Sequence, residues 1–282
     1  VAIHPGWGEI TLGRQAIGLG RGVMFGAVDV FAPFSPTEVD REWRRGVDGL
    51  RVEYHTSPTS SVEFLSAFGE SWDESAMLAR VRGYIGDFDG SLIIGKRADD
   101  FMAGGVLSAI LGDAEGHIEL ALFNTPESQA DGGLFGKDDL VLKAVLGGSY
   151  TFSIGNGLTL VGEYHYSGFG AEDTDDLAKL ASNADFQKRY LRGDMQILGR
   201  HAIGLQGSYP INEVWTASLL ALQNPSDGSG LISPGLRWDA SKNLTLLMNA
   251  FFPWGEGAQW NRVASEYGSS PTSIYLQANW YF

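Results

Sequence analysis

Charged side chains recur in this sequence at two-residue spacing, each flanked by apolar neighbours. Arg51 and Glu53 interrupt Leu50, Val52 and Tyr54; Glu63 stands between Val62 and Phe64; Arg80 and Arg82 alternate with Ala79, Val81 and Gly83. Arg97 shares a parity with Ser91 and Gly95, and Glu119, Lys143, Glu163, Arg200 and Arg237 continue the series. On an extended chain, residues two apart share one face. Basic and acidic arcs on the inner wall of a barrel set up a transverse field that sorts solutes by charge and size. The same groups can instead pair across strands and fill a narrow barrel.

Catalytic chemistry finds little footing. The five His are His4, His55, His117, His165 and His201, and none makes a His-x-x-x-His metal spacing. No Gly-x-Ser-x-Gly accompanies His165. The chain has no Cys, which removes disulfides, Cys-ligated metals and a thiol nucleophile. The run Glu172-Asp173-Thr174-Asp175-Asp176 lacks the Asp-x-Asp-x-Asp-Gly calcium spacing. It reads as a solvated loop, or as a contact for divalent cations that bridge lipopolysaccharide. The reading is therefore no enzyme, no cofactor and no metal site. A formal charge of −14 without a basic stripe argues against nucleic acid.

The elements that carry these charges alternate with a period of two almost throughout. Ile274, Leu276, Ala278, Trp280 and Phe282 alternate with Tyr275, Gln277, Asn279 and Tyr281. Leu244 to Phe252, Leu158 to Tyr166, Ile203 to Tyr209, Ile118 to Leu122 and Leu142 to Phe152 repeat the pattern. No run of 18 apolar residues encodes a transmembrane helix. About fourteen strands are expected, from 7–16 to 272–282 and including one over 194–209. Short connections such as Thr56–Thr59, Gly86–Asp89 and Ser241–Lys242 alternate with the longer segments 17–46, 124–138, 169–193 and 254–271. The prediction is an all-β chain: a transmembrane antiparallel β-barrel, one domain over 1–282, with short periplasmic turns and long extracellular loops. In hydrocarbon every backbone donor and acceptor must be paired, and strands achieve that only in a closed barrel. A soluble β-sandwich or soluble barrel also alternates, but it rarely has so many long strands ending in Tyr, Trp and Phe.

Segment 17–46 stands apart. It mixes Gly18, Gly20, Gly22 and Gly26 with Phe25, Phe31, Phe34 and Trp43, and Pro33 and Pro36 break strand pairing. Arg41, Arg44 and Arg45 lie close to Glu38, Asp40 and Glu42. A loop this apolar is poorly solvated in water, so it is expected to fold into the barrel mouth and narrow it. Arg51, Arg80 and Arg82 are then expected to line the narrow zone against Glu53 and Glu63. The N-terminus, Val1-Ala2-Ile3-His4-Pro5, has neither a basic region nor an apolar core of a signal peptide. The expectation is a leader already removed, or numbering from within a longer precursor. Any preceding segment should hold an even number of strands.

Two resemblances accompany this reading. Asn279-Trp280-Tyr281-Phe282 resembles the C-terminal signature of Gram-negative outer-membrane β-barrels. That resemblance implies recognition of Phe282 by the barrel-assembly machinery. The stretch Leu12-Gly13-Arg14-Gln15-Ala16-Ile17, with Asp29 to Glu38 and Asp40-Arg41-Glu42, is similar to a group of porin-like outer-membrane proteins of mostly unassigned function. It implies a loop able to fold into the lumen. Arg14 shares the parity of Ile10 and Leu12, which points it to lipid unless a bulge or a rim position intervenes.

The expected function is passive or weakly selective diffusion of small hydrophilic solutes across the outer membrane. Its partners would be outer-membrane lipid and lipopolysaccharide, with homo-oligomers or a partner protein in view. Two other readings stand beside it: a sheath or docking scaffold for a redox carrier crossing the membrane, and a transporter of apolar solutes with 17–46 as a hatch.

Overall fold

The computed structural model describes residues 1–31, 36–38, 46–125, 133–137, 139–172, 182–258 and 264–281. Several residues read from the sequence lie outside them: Pro33, Phe34, Asp40, Arg41, Glu42, Trp43, Arg44, Arg45, the acidic residues 173–176, and Phe282. The described chain forms one antiparallel sheet whose strands follow one another in sequence order. Its strands are β1 (Ala2–Ile3), β2 (Gly8–Gln15), β3 (Val47–Ser57), β4 (Ser60–Ala67), β5 (Ala76–Ile85), β6 (Phe88–Arg97), β7 (Asp100–Leu111) and β8 (Ala114–Asn124). They continue as β9 (Leu140–Phe152), β10 (Leu158–Ser167), β11 (His201–Pro210), β12 (Trp215–Gln223), β13 (Gly230–Ser241), β14 (Leu244–Trp254) and β15 (Ser273–Trp280).

The strands expected from alternation are all present, and β1 is an addition, pairing Ala2 with Thr11 and Ile3 with Ile10. Two elements differ from expectation. The strand read over 194–209 begins only at His201, and a helix, α1 (Ala184–Arg192), precedes it. Asn183 accepts the amide of Phe186 at 3.3 Å and caps the helix start. Phe186 and Arg189, three residues apart, are both buried, so one face of α1 is docked. Asp194, Met195 and Ile197 are buried next to it, which takes 194–200 out of the sheet.

The sheet has a wet and a greasy side, but the greasy one faces out. Leu92, Leu146, Leu205, Leu219 and Leu276 are exposed, Leu92 at 72% and Leu276 at 78%. Their strand neighbours Ile93, Val145, Ala202, Leu222 and Phe251 are buried on the inner face. Such an outer surface is stable in hydrocarbon and would be poorly soluble in water. Aromatic pairs gather at the short-turn end: Trp7 with Tyr54 (5.9 Å), Tyr150 with Phe152 (4.6 Å) and Trp215 stacked on Trp238 (5.1 Å). Amphipathic rings favour that depth, where headgroups meet hydrocarbon. At the other strand ends several connections are long, as around 17–46 and 168–200, while β6 and β7 are joined there by Ala98 and Asp99 alone.

Adjacent residues on β12 test this two-sided reading. Leu219→Arg, on the outer face, is expected to destabilise the barrel by roughly 2–4 kcal/mol near the bilayer midplane. Ser218→Arg, facing inward, should cost far less. Equal shifts of the urea midpoint for the two variants in lipid vesicles would overturn the assigned faces.

Candidate functional site

The site begins with a chain segment lying against the inner wall. Ile17, Leu19, Met24, Phe25, Val28, Val30 and Phe31 are all buried. Their burial takes main-chain amides out of water, and each must find an acceptor. The wall supplies them as carboxylates. Glu119 of β8 accepts from Arg21 (2.5 Å), Gly22 (2.8 Å), Ala27 (2.8 Å) and Val28 (3.4 Å). Glu163 of β10 accepts from Val23 (2.5 Å), Met24 (2.8 Å) and Phe25 (2.9 Å). Gln196 accepts from Gly26 at 2.7 Å. His117, on the same face as Glu119, meets Glu163 at 3.1 Å, and the Phe25 ring stacks on His165 at 5.2 Å.

The glycines here answer to close approach. A side chain on Gly20 would place its Cβ 2.4 Å from a Glu119 carboxylate oxygen, and one on Gly22 would place it 1.8 Å from the Phe25 carbonyl. Both contacts lie far inside van der Waals range, so only glycine lets the segment wrap each carboxylate.

Beside this segment lies a cavity of about 270 Å³ lined by Arg21, Arg51, Arg80, Arg82 and Asp89. Glu63, buried on β4, accepts from Arg51 and forms an ion pair with Arg80 at 2.6 Å. Arg51 also reaches Glu53 at 3.1 Å. Asp89 takes Arg82 at 3.3 Å and pairs with Arg21 from the inner segment. The hydrogen bond and charge of Asp89 raise the Arg21 guanidinium above its ordinary pKa against the opposing effect of partial burial. Four guanidiniums thus stand among three carboxylates, and the balance at the cavity is basic.

A second cluster holds α1 in the interior. Arg189 forms a two-point pair with Asp100 of β7, one contact at 2.9 Å, and lies 4.6 Å from the Phe169 ring. Arg192 and Arg97 both meet Asp194, at 2.5 and 3.3 Å, and Lys143 donates to the Asp194 carbonyl at 2.8 Å. In the loop before β15, Glu266 accepts the amides of Leu198 and Gly199, at 3.0 and 2.7 Å. Burial pushes its carboxyl upward, while those amides pull the other way.

The residues singled out in the sequence therefore separate into groups. Arg51, Glu53, Glu63, Arg80 and Arg82 come together at the cavity. Glu119 and Glu163 hold the inner segment, and Arg97 and Lys143 belong to the α1 cluster. Arg200 pairs with Glu172 at 2.9 Å, and Arg237 with Asp239 at 3.0 Å near the short-turn end. The basic and acidic groups of β3–β5 are interleaved rather than set on opposed arcs. The register places Glu63 directly across from Arg80, within reach of Arg51. Arg14 stays on the outer face at the end of β2 and pairs with Asp48 at 2.8 Å, which places both charges at the rim. Arg21, Asp89, Asp100, Asp194 and Gln196 went unread. Asp89 shares the parity of Ser91 and Arg97 and was legible as an inward residue; the others lie on loops or at a strand's first residue. Among the described residues no group of three or more His, Asp and Glu is placed to hold a metal ion.

No protein-family model and no curated protein matches the sequence. Among solved structures the chain is similar to Pseudomonas aeruginosa OccK11 (OpdR), at 12% identity over 96% of this chain and 75% of that one, TM-score 0.54. OccK5 (OpdH) of the same organism gives 11% identity, 97% and 79% coverage and TM-score 0.54. The P. aeruginosa outer membrane protein OpdK gives 9% identity, 96% and 77% coverage and TM-score 0.48. The fold is that of an outer-membrane β-barrel.

Removing one anchor tests the inner segment. Glu119→Ala is expected to speed amide exchange at Arg21–Val28 by about 10- to 100-fold, since each bond to a charged acceptor is worth about 1.5–3 kcal/mol. Glu115→Ala, four residues toward the turn on the same inward face and itself exposed, should leave those rates alone. Unchanged exchange in the Glu119 variant would show that the carboxylate does not hold the segment.

Proposed function

We propose that the chain is an outer-membrane channel that passes small hydrophilic solutes, with a preference for anions at the guanidinium cavity. The observation that carries this reading is the cavity itself: Arg21, Arg51, Arg80 and Arg82 stand at one inner-wall opening beside the segment that narrows the interior. Each guanidinium has a carboxylate partner, so the wall does not trap an anion outright. A passing carboxylate or phosphate can share these donors, and binding stays weak enough for release. The outer-membrane barrel fold and the exposed apolar band support the location. The short turns then face the periplasm, and the long connections, including the one carrying α1, face outside. Residues 17–31 and α1 occupy interior space that a sheath for a folded redox carrier would need, which disfavours that reading. The charged, hydrogen-bonded wall of β3–β8 disfavours an apolar transporter. Recognition of Phe282 by the assembly machinery and association into homo-oligomers belong to the same proposal.

The pure protein in a planar bilayer should give discrete conductance steps. Replacing Arg80 and Arg82 together by Ala should move the reversal potential toward cation selectivity. The shift should be larger at 0.01 M salt, where the Debye length is about 30 Å, than at 0.1 M, where it is about 10 Å. Absence of steps would sink the channel reading. Steps with an unmoved reversal potential would remove the guanidinium cavity from selectivity.

A further inference from the structure

The inner wall differs in chemistry from one arc to the other. β3–β6 carry the paired guanidiniums and carboxylates, whereas the middle of β11–β14 presents hydroxyl and amide groups. Ser208 pairs with Ser218, Ser218 with Gly235, and Gly235 with Asn249, in one continuous cross-strand row. The adjoining row pairs Gln206 with Leu220 and Leu220 with Ser233. A cavity of about 160 Å³ opens on these rows, lined by Gln206, Ser218, Ser233, Asn249 and Phe251. A second, of about 250 Å³, continues past Phe251 to Tyr275, whose rings meet edge to face at 5.5 Å.

Two features mark this wall as a site rather than a smooth lining. First, the side chains of Gln206, Ser218, Ser233 and Asn249 make no hydrogen bond among the described residues. Ser233 is only 4% exposed as a residue, yet it lines the cavity, where its hydroxyl is available to a ligand hydroxyl. Second, Gly235 lets two of these groups close in. A Cβ there would sit 2.4 Å from the Ser218 hydroxyl and 2.6 Å from the Asn249 amide oxygen. The row is thus drawn together over a bare backbone.

We propose that this wall binds a neutral polyhydroxylated solute of monosaccharide or hexitol size. Ser, Asn and Gln side chains both donate and accept, which matches an alcohol hydroxyl and gives no advantage to an ion. The Phe251 and Tyr275 rings offer an apolar surface for the C–H face of a pyranose, as amphipathic ligands require. Among the described residues lining the first cavity there is no guanidinium or ammonium group to draw an anion. Anions and neutral polyols would therefore meet opposite arcs of one interior. The proposal rests on the channel reading only for how a solute reaches the wall; binding itself does not require conduction.

The test is glucose, and separately sorbitol, added to the full-length protein in detergent micelles. Saturation transfer to each sugar is expected with the wild type, together with shifts of the Asn249 side-chain amide and the Gly235 main-chain amide on titration. Asn249→Leu should weaken binding by about fivefold for each hydrogen bond lost. Gly235→Ala should weaken it by forcing Ser218 and Asn249 apart, with heat-modifiable gel migration verifying that both variants fold. No saturation transfer to the wild type, shifts confined to the Arg80 and Arg82 region, or undiminished binding in both folded variants would each overturn the proposal. If neither variant folds, the wild-type shifts decide alone. Conductance of the wild type in KCl without sugar decides the channel reading separately.

Discussion

Eight consecutive main-chain amides, Arg21 to Val28, turn toward three side chains of the wall, and the interior is organised around that demand. An apolar segment inside a barrel brings its backbone with it, and buried N–H groups have to be met. An ionised carboxylate is the densest acceptor a side chain offers, with about four lone-pair positions. Glu119 uses its capacity on four amides, and Glu163 on three amides and His117. Burying either charge alone would be prohibitive. Surrounded by donors, each carboxylate has its acceptor positions filled.

Once the segment is fixed, it divides the interior. On one side Arg21 is delivered to Asp89, which completes the guanidinium cavity of β3–β6. On the other, Met24 and Phe25 rest on β10 and β11, with Phe25 on His165. Farther along the wall, Thr37 and Glu38 line the cavity on β11–β14. The α1 cluster acts from the loop end of the strands in the same manner. Asp100 and Asp194 gather Arg97, Arg189 and Arg192, so a long connection is drawn inward by buried pairs rather than left in solvent. Buried pairs of this kind are strongly destabilising to break one partner at a time, and they hold one arrangement of the loops.

Charge pairing also bears on the proposed anion preference, since a wall of paired groups would hold a passing ion only weakly. Glu63 between Arg51 and Arg80 neutralises much of the basic field locally. What remains is a modest excess of positive charge in a confined space, where screening by salt is incomplete. The wall of β11–β14 presents hydroxyl and amide groups among the described residues, so the discrimination proposed for it would come from hydrogen-bond matching.

The sequence by itself determined the strands, their faces and the lipid-exposed surface. Side-chain alternation is a property of a strand's own residues: Leu244, Leu246 and Met248 against Thr245, Leu247 and Asn249 read the same in any sheet of this kind. The inward parity of Glu63, Arg80, Glu119 and Glu163 was legible for that reason, as was the unusual composition of 17–46. What the parity could not supply was the partner of each charge. Glu119 meets Arg21 across 98 residues of sequence and Glu163 meets Val23 across 140. Such meetings depend on how far the sheet curls and on where a flexible segment comes to rest, neither of which leaves a local periodic trace. The helix at 184–192 was missed for a related cause. Its arginines look solvated in an acidic stretch, and it is Asp100 on β7 and Asp194 beyond the helix that meet them in space. Tertiary structure therefore decided whether each inward charge anchors a loop, lines an opening or closes a cluster, because a charge is defined energetically by what surrounds it in space.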